Sequence, residues 1–151
     1  MVIIDITTDV KRPLEEVYGY VADLRNAPQW QSWLQSVKQD EPTRVGTKAH
    51  QSGHWMGRPL DFDSEVTEYE PGRKFSFTAG SPFPCTLSVS FGEHNGGTRI
   101  QSHLVGEPGG FFKLTEPLVK RLAAEMWGAD YRRLKTLLET GVAAKAEELR
   151  A

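Results

Sequence analysis

The chain has 151 residues, 38% hydrophobic and 25% charged, which suits one domain over 1–151 able to bury a core without disulfides or a structural metal. With 18 Lys and Arg against 20 Asp and Glu, the net charge is −2, so no large positive field is available to hold nucleic acid. No run of ~18 apolar residues occurs to insert into a bilayer, the opening MVIIDITTDV lacks the basic start and apolar core of a targeting signal, and the single Cys85 cannot form an intrachain disulfide; these features predict a cytoplasmic protein.

The first predicted element is a strand over Val2 to Asp9, with Val2, Ile4 and Ile6 alternating on one face before Lys11-Arg12-Pro13 interrupts it. Pro13 suits a first helical turn, Glu15 and Glu16 favour its positive end, and Leu14, Val17, Tyr18 and Val21 recur at helical spacing. A helix is therefore expected from Pro13 to about Asp23. Asn26-Ala27-Pro28 opens a second short helix carrying Trp30 and Trp33, and the pair is expected to plug one end of a sheet.

From Val37 onward the punctuation is that of a meander. Val45-Gly46, Gly57-Arg58-Pro59, Glu70-Pro71-Gly72, Ser81-Pro82 and Asn95-Gly96-Gly97 separate six runs of strand length. These run approximately from Leu34 to Gln39, Thr47 to Met56, Leu60 to Tyr69, Lys74 to Ala79, Pro84 to Glu93 and Thr98 to Val105. Short connections favour antiparallel pairing. After Pro108-Gly109-Gly110 a long helix is expected from Phe112 to Thr140, with an apolar stripe of Val119, Leu122, Ala123, Met126, Leu134 and Leu137. The tail from Gly141 to Ala151 either extends this helix or frays. The predicted class is α+β: a seven-stranded curved antiparallel sheet wrapped around a long C-terminal helix, with two short helices after strand one. Such a sheet leaves room for a cavity between its concave face and the helix.

Strand parity separates the inner from the outer residues. Phe75, Phe77 and Ala79, then Cys85, Leu87, Val89 and Phe91, share the apolar face, as do Leu60, Phe62, Ser64 and Val66, and Ile100, Ser102 and Leu104. Ser64 and Ser102 are thus polar points in an apolar wall. In the third run Ala49, Gln51, Gly53 and Trp55 compete with His50, Ser52, His54 and Met56, and the Trp55 face is favoured as the inner one.

His50 and His54 lie about 13 Å apart along their strand, too far to share one metal ion without a bulge, and neither HExxH nor paired Cys/His spacing occurs, so no metal site is expected. Asp61, Asp63 and Glu65 alternate on the outer face, where solvation leaves their pKa values untuned. Cys85 reads better as a small buried hydrophobe than as a nucleophile. Asp130 interrupts the apolar stripe of the last helix with Arg133 nearby. It is either a base facing the cavity or half of a salt bridge, and is the one weak catalytic candidate. Gly109 and Gly110 before Phe111-Phe112 form either a mobile lid or an ordinary loop.

Several segments together carry a resemblance: Pro13-Leu14-Glu15-Glu16-Val17 followed by the Trp30 region, Gly57-Arg58-Pro59, the run from Glu65 to Phe75, Gly97-Thr98-Arg99-Ile100, and Leu134-Lys135-Thr136-Leu137-Leu138-Glu139. Over nearly its whole length the chain resembles the START-like helix-grip (SRPBCC) superfamily, and looks most like its polyketide cyclase/dehydrase-like branch. The resemblance implies the helix-grip fold and a ligand cavity. It carries no catalytic motif over residue by residue.

The leading expectation is binding of a small hydrophobic or aromatic molecule, with no cofactor, no nucleic-acid partner and no membrane insertion. Gln51, Ser64 and Ser102 would supply polar contacts; Trp55, Phe62, Phe77, Leu87, Val89, Leu104, Phe112, Leu122 and Met126 would form the wall. Two alternatives stand beside it. The resemblance implies a polyketide cyclase/dehydrase-type enzyme, and a regulatory or interaction module with a closed cavity is the third reading. Monomer and homodimer are both open.

Overall fold

The computed structural model describes residues 1–80 and 83–141, with the side chains at 111 and 112 excepted. The expected Ser81-Pro82 turn, the Phe112 side chain and the tail beyond Gly141 lie outside the described residues.

Seven strands form one antiparallel sheet: β1 (Val2–Val10), β2 (Leu34–Lys38), β3 (Lys48–Trp55), β4 (Arg58–Glu70), β5 (Lys74–Ala79), β6 (Cys85–His94) and β7 (Gly97–Gly106). Their spatial order is β1-β7-β6-β5-β4-β3-β2, so β2 to β7 are neighbours in sequence order and only β1 travels to the far side, pairing Val2 with Gly106. The hairpins follow from their turn residues. Asn95 and Gly96 take φ of 48° and 80° between β6 and β7, and Met56 and Gly57 take 54° and 75° between β3 and β4. Two consecutive left-handed residues match the twist of the flanking strands. In β4 the register slips between Val66 and Glu68, a bulge that bends the longest strand and helps to curl the sheet.

Helix α1 (Leu14–Val21) and a 3₁₀ helix (Leu24–Gln29) cross one end of the sheet. Asp23 caps the latter by accepting from the Arg25 amide. Trp30 and Trp33 follow this helix rather than lying within it. Two anchors hold α1 on the core: Tyr18 donates its hydroxyl proton to the Lys74 carbonyl at 3.0 Å, and its ring meets Phe91 edge-on at 5.0 Å between centroids.

The expected continuous C-terminal helix is in fact two, α2 (Phe111–Leu114) and α3 (Glu116–Thr140), separated at Thr115 with φ −110° and ψ 20°. Pro117 explains the break: it has no amide proton, and its ring would clash with the carbonyl one turn back if the helix ran through. Gly141 ends α3 in the left-handed conformation. The buried stripe of α3 is also rotated from expectation. Val119, Ala123, Trp127, Asp130, Tyr131, Leu134 and Leu138 face the sheet, whereas Leu122 is 36% exposed and so does not form cavity wall. Trp127 and Tyr131 take over that face because large rings fill the span between helix and curved sheet, and Trp30 packs on Tyr131 at 5.0 Å.

Candidate functional site

Between the concave face and α3 lies a cavity of ≈ 90 Å³, measured as space for the centres of water-sized molecules. Each element contributes by its inward parity. Gln51 and Trp55 come from β3, Leu60 and Phe62 from β4, Phe77 and Ala79 from β5, Cys85 and Leu87 from β6, and Leu104 from β7. Ala123, Met126 and Trp127 cover them from α3, Gln31 and Trp33 enter from the segment after the 3₁₀ helix, and Phe83 closes the side near the β5–β6 connection.

Trp33 owes its place to a close backbone approach. Its carbonyl accepts from the His54 amide at 2.8 Å, and a Cβ on Gly53 would sit far inside contact distance of that carbonyl oxygen, so only glycine allows the segment to lie against β3. Trp33 then stacks between Phe62 (centroids 6.0 Å, planes 16° apart) and Trp127 (6.3 Å, 21°). Phe83 reaches its position across Gly106, where an added Cβ would meet its ring, and it contacts Trp55 edge-on at 6.4 Å.

The inner face of β3 is the Trp55 face: Ala49, Gln51 and Gly53 are buried, while His50 and His54 are exposed. Outside, His50 pairs with Asp61 and Asp63, the Nδ1 contact to Asp63 being 2.8 Å, and the hydrogen bond that Asp63 accepts raises the pKa of His50. His103 likewise pairs with Asp5 on the outer face. Among the described residues no group of three or more His, Cys, Asp or Glu side chains could hold a metal ion.

Of the residues expected at the site, Gln51, Trp55, Phe62, Phe77, Leu87, Leu104 and Met126 border the cavity. Ser64, Ser102 and Val89 are inward and buried but lie outside its lining. Six lining residues, Gln31, Trp33, Phe83, Ala123, Met126 and Trp127, lie off the strands and so beyond strand parity; the helical stripe supplies Ala123 and Met126, and the other four have no such signal. Trp127 is not singled out by the sequence reading, and nothing in the sequence signals that its ring would meet that of Trp33.

Asp130 is 3% exposed and does not border the cavity. Its Oδ1 accepts from the Ser32 amide at 3.1 Å while Oδ2 has no partner. Burial raises its pKa, the Ser32 bond and the Arg133 charge opposing this only in part. Ser32 lies between Gln31 and Trp33, so Asp130 positions two lining residues from behind. The Cys85 thiol, which does border the cavity, has its pKa raised by burial and is poorly suited to nucleophilic attack. Tyr131, fully enclosed beneath the cavity, is pushed up to about 12, mainly by burial.

Among the described residues, no helix is long and apolar enough to cross a membrane. The family described as "Polyketide cyclase / dehydrase and lipid transport" matches residues 1–139. The fold is also that of solved structures at low identity. TTHA0849 from Thermus thermophilus superposes with a TM-score of 0.76 at 18% identity, over 89% of this chain and 94% of that one. DR_A0006 from Deinococcus radiodurans gives 0.68 at 19%, over 92% and 98%. DynU16, described as a protein in the dynemicin biosynthetic locus, gives 0.67 at 19%, over 93% of this chain and 48% of that one. No curated protein matches the sequence.

Proposed function

Because the chain belongs to the polyketide cyclase/dehydrase and lipid transport family of the START-like helix-grip superfamily, we propose that it binds a small hydrophobic or aromatic molecule in the cavity between the sheet and α3. The observation that carries this reading is the cavity itself: room for a ring-sized ligand, walled by Phe, Trp, Leu, Met and Ala side chains drawn from five strands and the helix. Burial of apolar ligand surface there supplies the affinity, at about 25 cal/mol per Å² before the cost of association is subtracted.

Binding ranks ahead of a cyclase or dehydrase reaction for a chemical reason. Those reactions move protons, and among the described residues the lining offers amides, indoles and one thiol whose pKa is raised, with Asp130 engaged behind Trp33. A packed-shut interaction module is disfavoured by the open volume. A reducing compartment such as the cytoplasm suits the lone thiol.

The test is native mass spectrometry of freshly purified protein with extraction of any bound compound, followed by a thermal-shift screen of neutral aromatic and aliphatic ligands. A ligand at a hundred times its Kd should stabilise the fold by about 2.7 kcal/mol. If nothing co-purifies and no compound raises the melting temperature, the binding reading is lost.

A further inference from the structure

The cavity reaches one end of the sheet. Trp55 and Ala79, both in its lining, are the last residues of β3 and β5, and Cys85 is the first of β6. Cys85 pairs with Gly106 and Gly106 with Val2, so β1 begins and β7 runs out toward α2 at that same end, while α1 crosses the other.

The exposed large apolar side chains gather there. Among the described residues all of them except Val45 belong to segments at this end: Met1 and Ile3 at the start of β1, Met56 in the β3–β4 turn, and Leu114, Leu118 and Leu122 in α2 and α3. Leu118, Leu122 and Met126 recur at every fourth residue, on successive turns of one side of α3, and Leu114 precedes them in α2. Exposure falls along this track, from 86% at Leu114 through 52% at Leu118 and 36% at Leu122 to a half-buried Met126, which borders the cavity. Leucines held in water are unfavourable, and a set that leads from the surface to a cavity marks a contact face.

The charges around the track favour one kind of partner. The neighbouring acids are already engaged: Glu116 and Glu107 by the Met1 ammonium at 2.8 and 3.9 Å, and Glu125 by Arg121 at 3.4 Å. Lys113 and Lys120 are exposed, and among the described residues neither forms an ion pair. A second copy of the chain fits poorly, because a twofold contact sets the same patch on both sides and brings these lysines toward their own counterparts.

We propose that this end of the molecule docks on an anionic lipid surface, with Leu114 and Leu118 entering the headgroup layer and Lys113 and Lys120 meeting lipid phosphates and carboxylates. The contact is peripheral, since no helix among the described residues is long and apolar enough to cross a membrane. Docked in this way, the cavity lies against the phase in which apolar molecules dissolve. The proposal goes beyond the binding reading, and its test does not depend on a ligand.

The test is flotation of the full chain with vesicles of phosphatidylcholine alone and of phosphatidylcholine with about 30% phosphatidylserine. The wild-type protein should float with the anionic vesicles, less with the neutral ones, and less as salt is raised. Lys113→Gln combined with Lys120→Gln should weaken the anionic binding about 25-fold, or about fivefold per lysine. Leu114→Ser combined with Leu118→Ser should weaken it about tenfold or more. All four side chains are exposed, so both double variants should keep the wild-type melting temperature, which separates a lost contact from a lost fold. Failure of the wild type to float with anionic vesicles overturns the proposal. So does binding that neither double variant weakens, or a dimer in solution that Leu118→Ser dissociates while vesicles compete for nothing.

Discussion

Asp130 Oδ1 accepts the Ser32 amide proton at 3.1 Å across 98 residues of sequence, tying the centre of α3 to the segment that carries Gln31 and Trp33 into the cavity. The carboxylate is buried and its second oxygen has no partner, so one group both holds the wall in place and bears a desolvation cost.

Removing that group separates the two roles. The raised pKa means that the folded state binds the Asp130 proton more tightly than the unfolded chain does. Its contribution to stability is therefore fully present below the ordinary carboxylate range, and is lost as pH rises through the raised folded value. Asp9, Glu68 and Glu139 have lowered pKa values and act in the opposite sense. The difference between wild type and Asp130→Asn isolates the one group: denaturant melts should show the variant gaining on wild type as pH rises, and at least as stable at neutral pH. Asp130→Ala also loses the bond to Ser32 and should cost about 1 kcal/mol relative to Asp130→Asn.

Gly53 is the point where the backbone of Trp33 lies against β3. Gly53→Ala drives a methyl group into the Trp33 carbonyl, which as backbone cannot swing aside. A loss of about 2–3 kcal/mol in urea unfolding is expected, together with weaker ligand binding as Trp33 moves. A neutral substitution would mean that the segment is not held as described.

Ala123 is the smallest α3 side chain in the lining. Ala123→Leu places extra carbon in the cavity and should lower ligand affinity by about tenfold or more. The melting temperature should hold or rise, since each buried methylene contributes about 0.8 kcal/mol when it fits without strain. Unaltered affinity in a well-folded variant would place the ligand elsewhere.

Cys85 reports on occupancy. Its thiol borders the cavity and burial raises its pKa, so at neutral pH it should alkylate with iodoacetamide about tenfold or more slowly than a free thiol. A bound ligand should slow the reaction further. Mass spectrometry of the modified protein measures both rates, and a ligand that leaves the rate unchanged does not sit against β6.

Strand order and inner faces were legible because side chains alternate with a period of two along any strand. Phe62, Phe77, Leu87 and Leu104 could be assigned inward from that rule and a set of Gly, Pro and Asn turns. The helix was harder. A stripe drawn at 100° per residue tolerates a shift of one position, so it points Leu122 inward and passes over Trp127, although the sheet selects Trp127 and leaves Leu122 exposed. The break at Thr115 had a signal, Pro117, whose meaning depends on whether a helix is already running when the chain reaches it.

Short-range periodicity and turn chemistry are enough to specify an α+β chain with seven strands pairing mostly with their neighbours, one long helix to cover them, and an apolar concave face. Where that face stays unfilled depends on how distant elements pack. A cavity is the space left when side chains from distant elements fail to meet, so the joining of Trp33 to Phe62 and Trp127, the orphaned Gln51 oxygen, and the engagement of Asp130 with Ser32 have no local code.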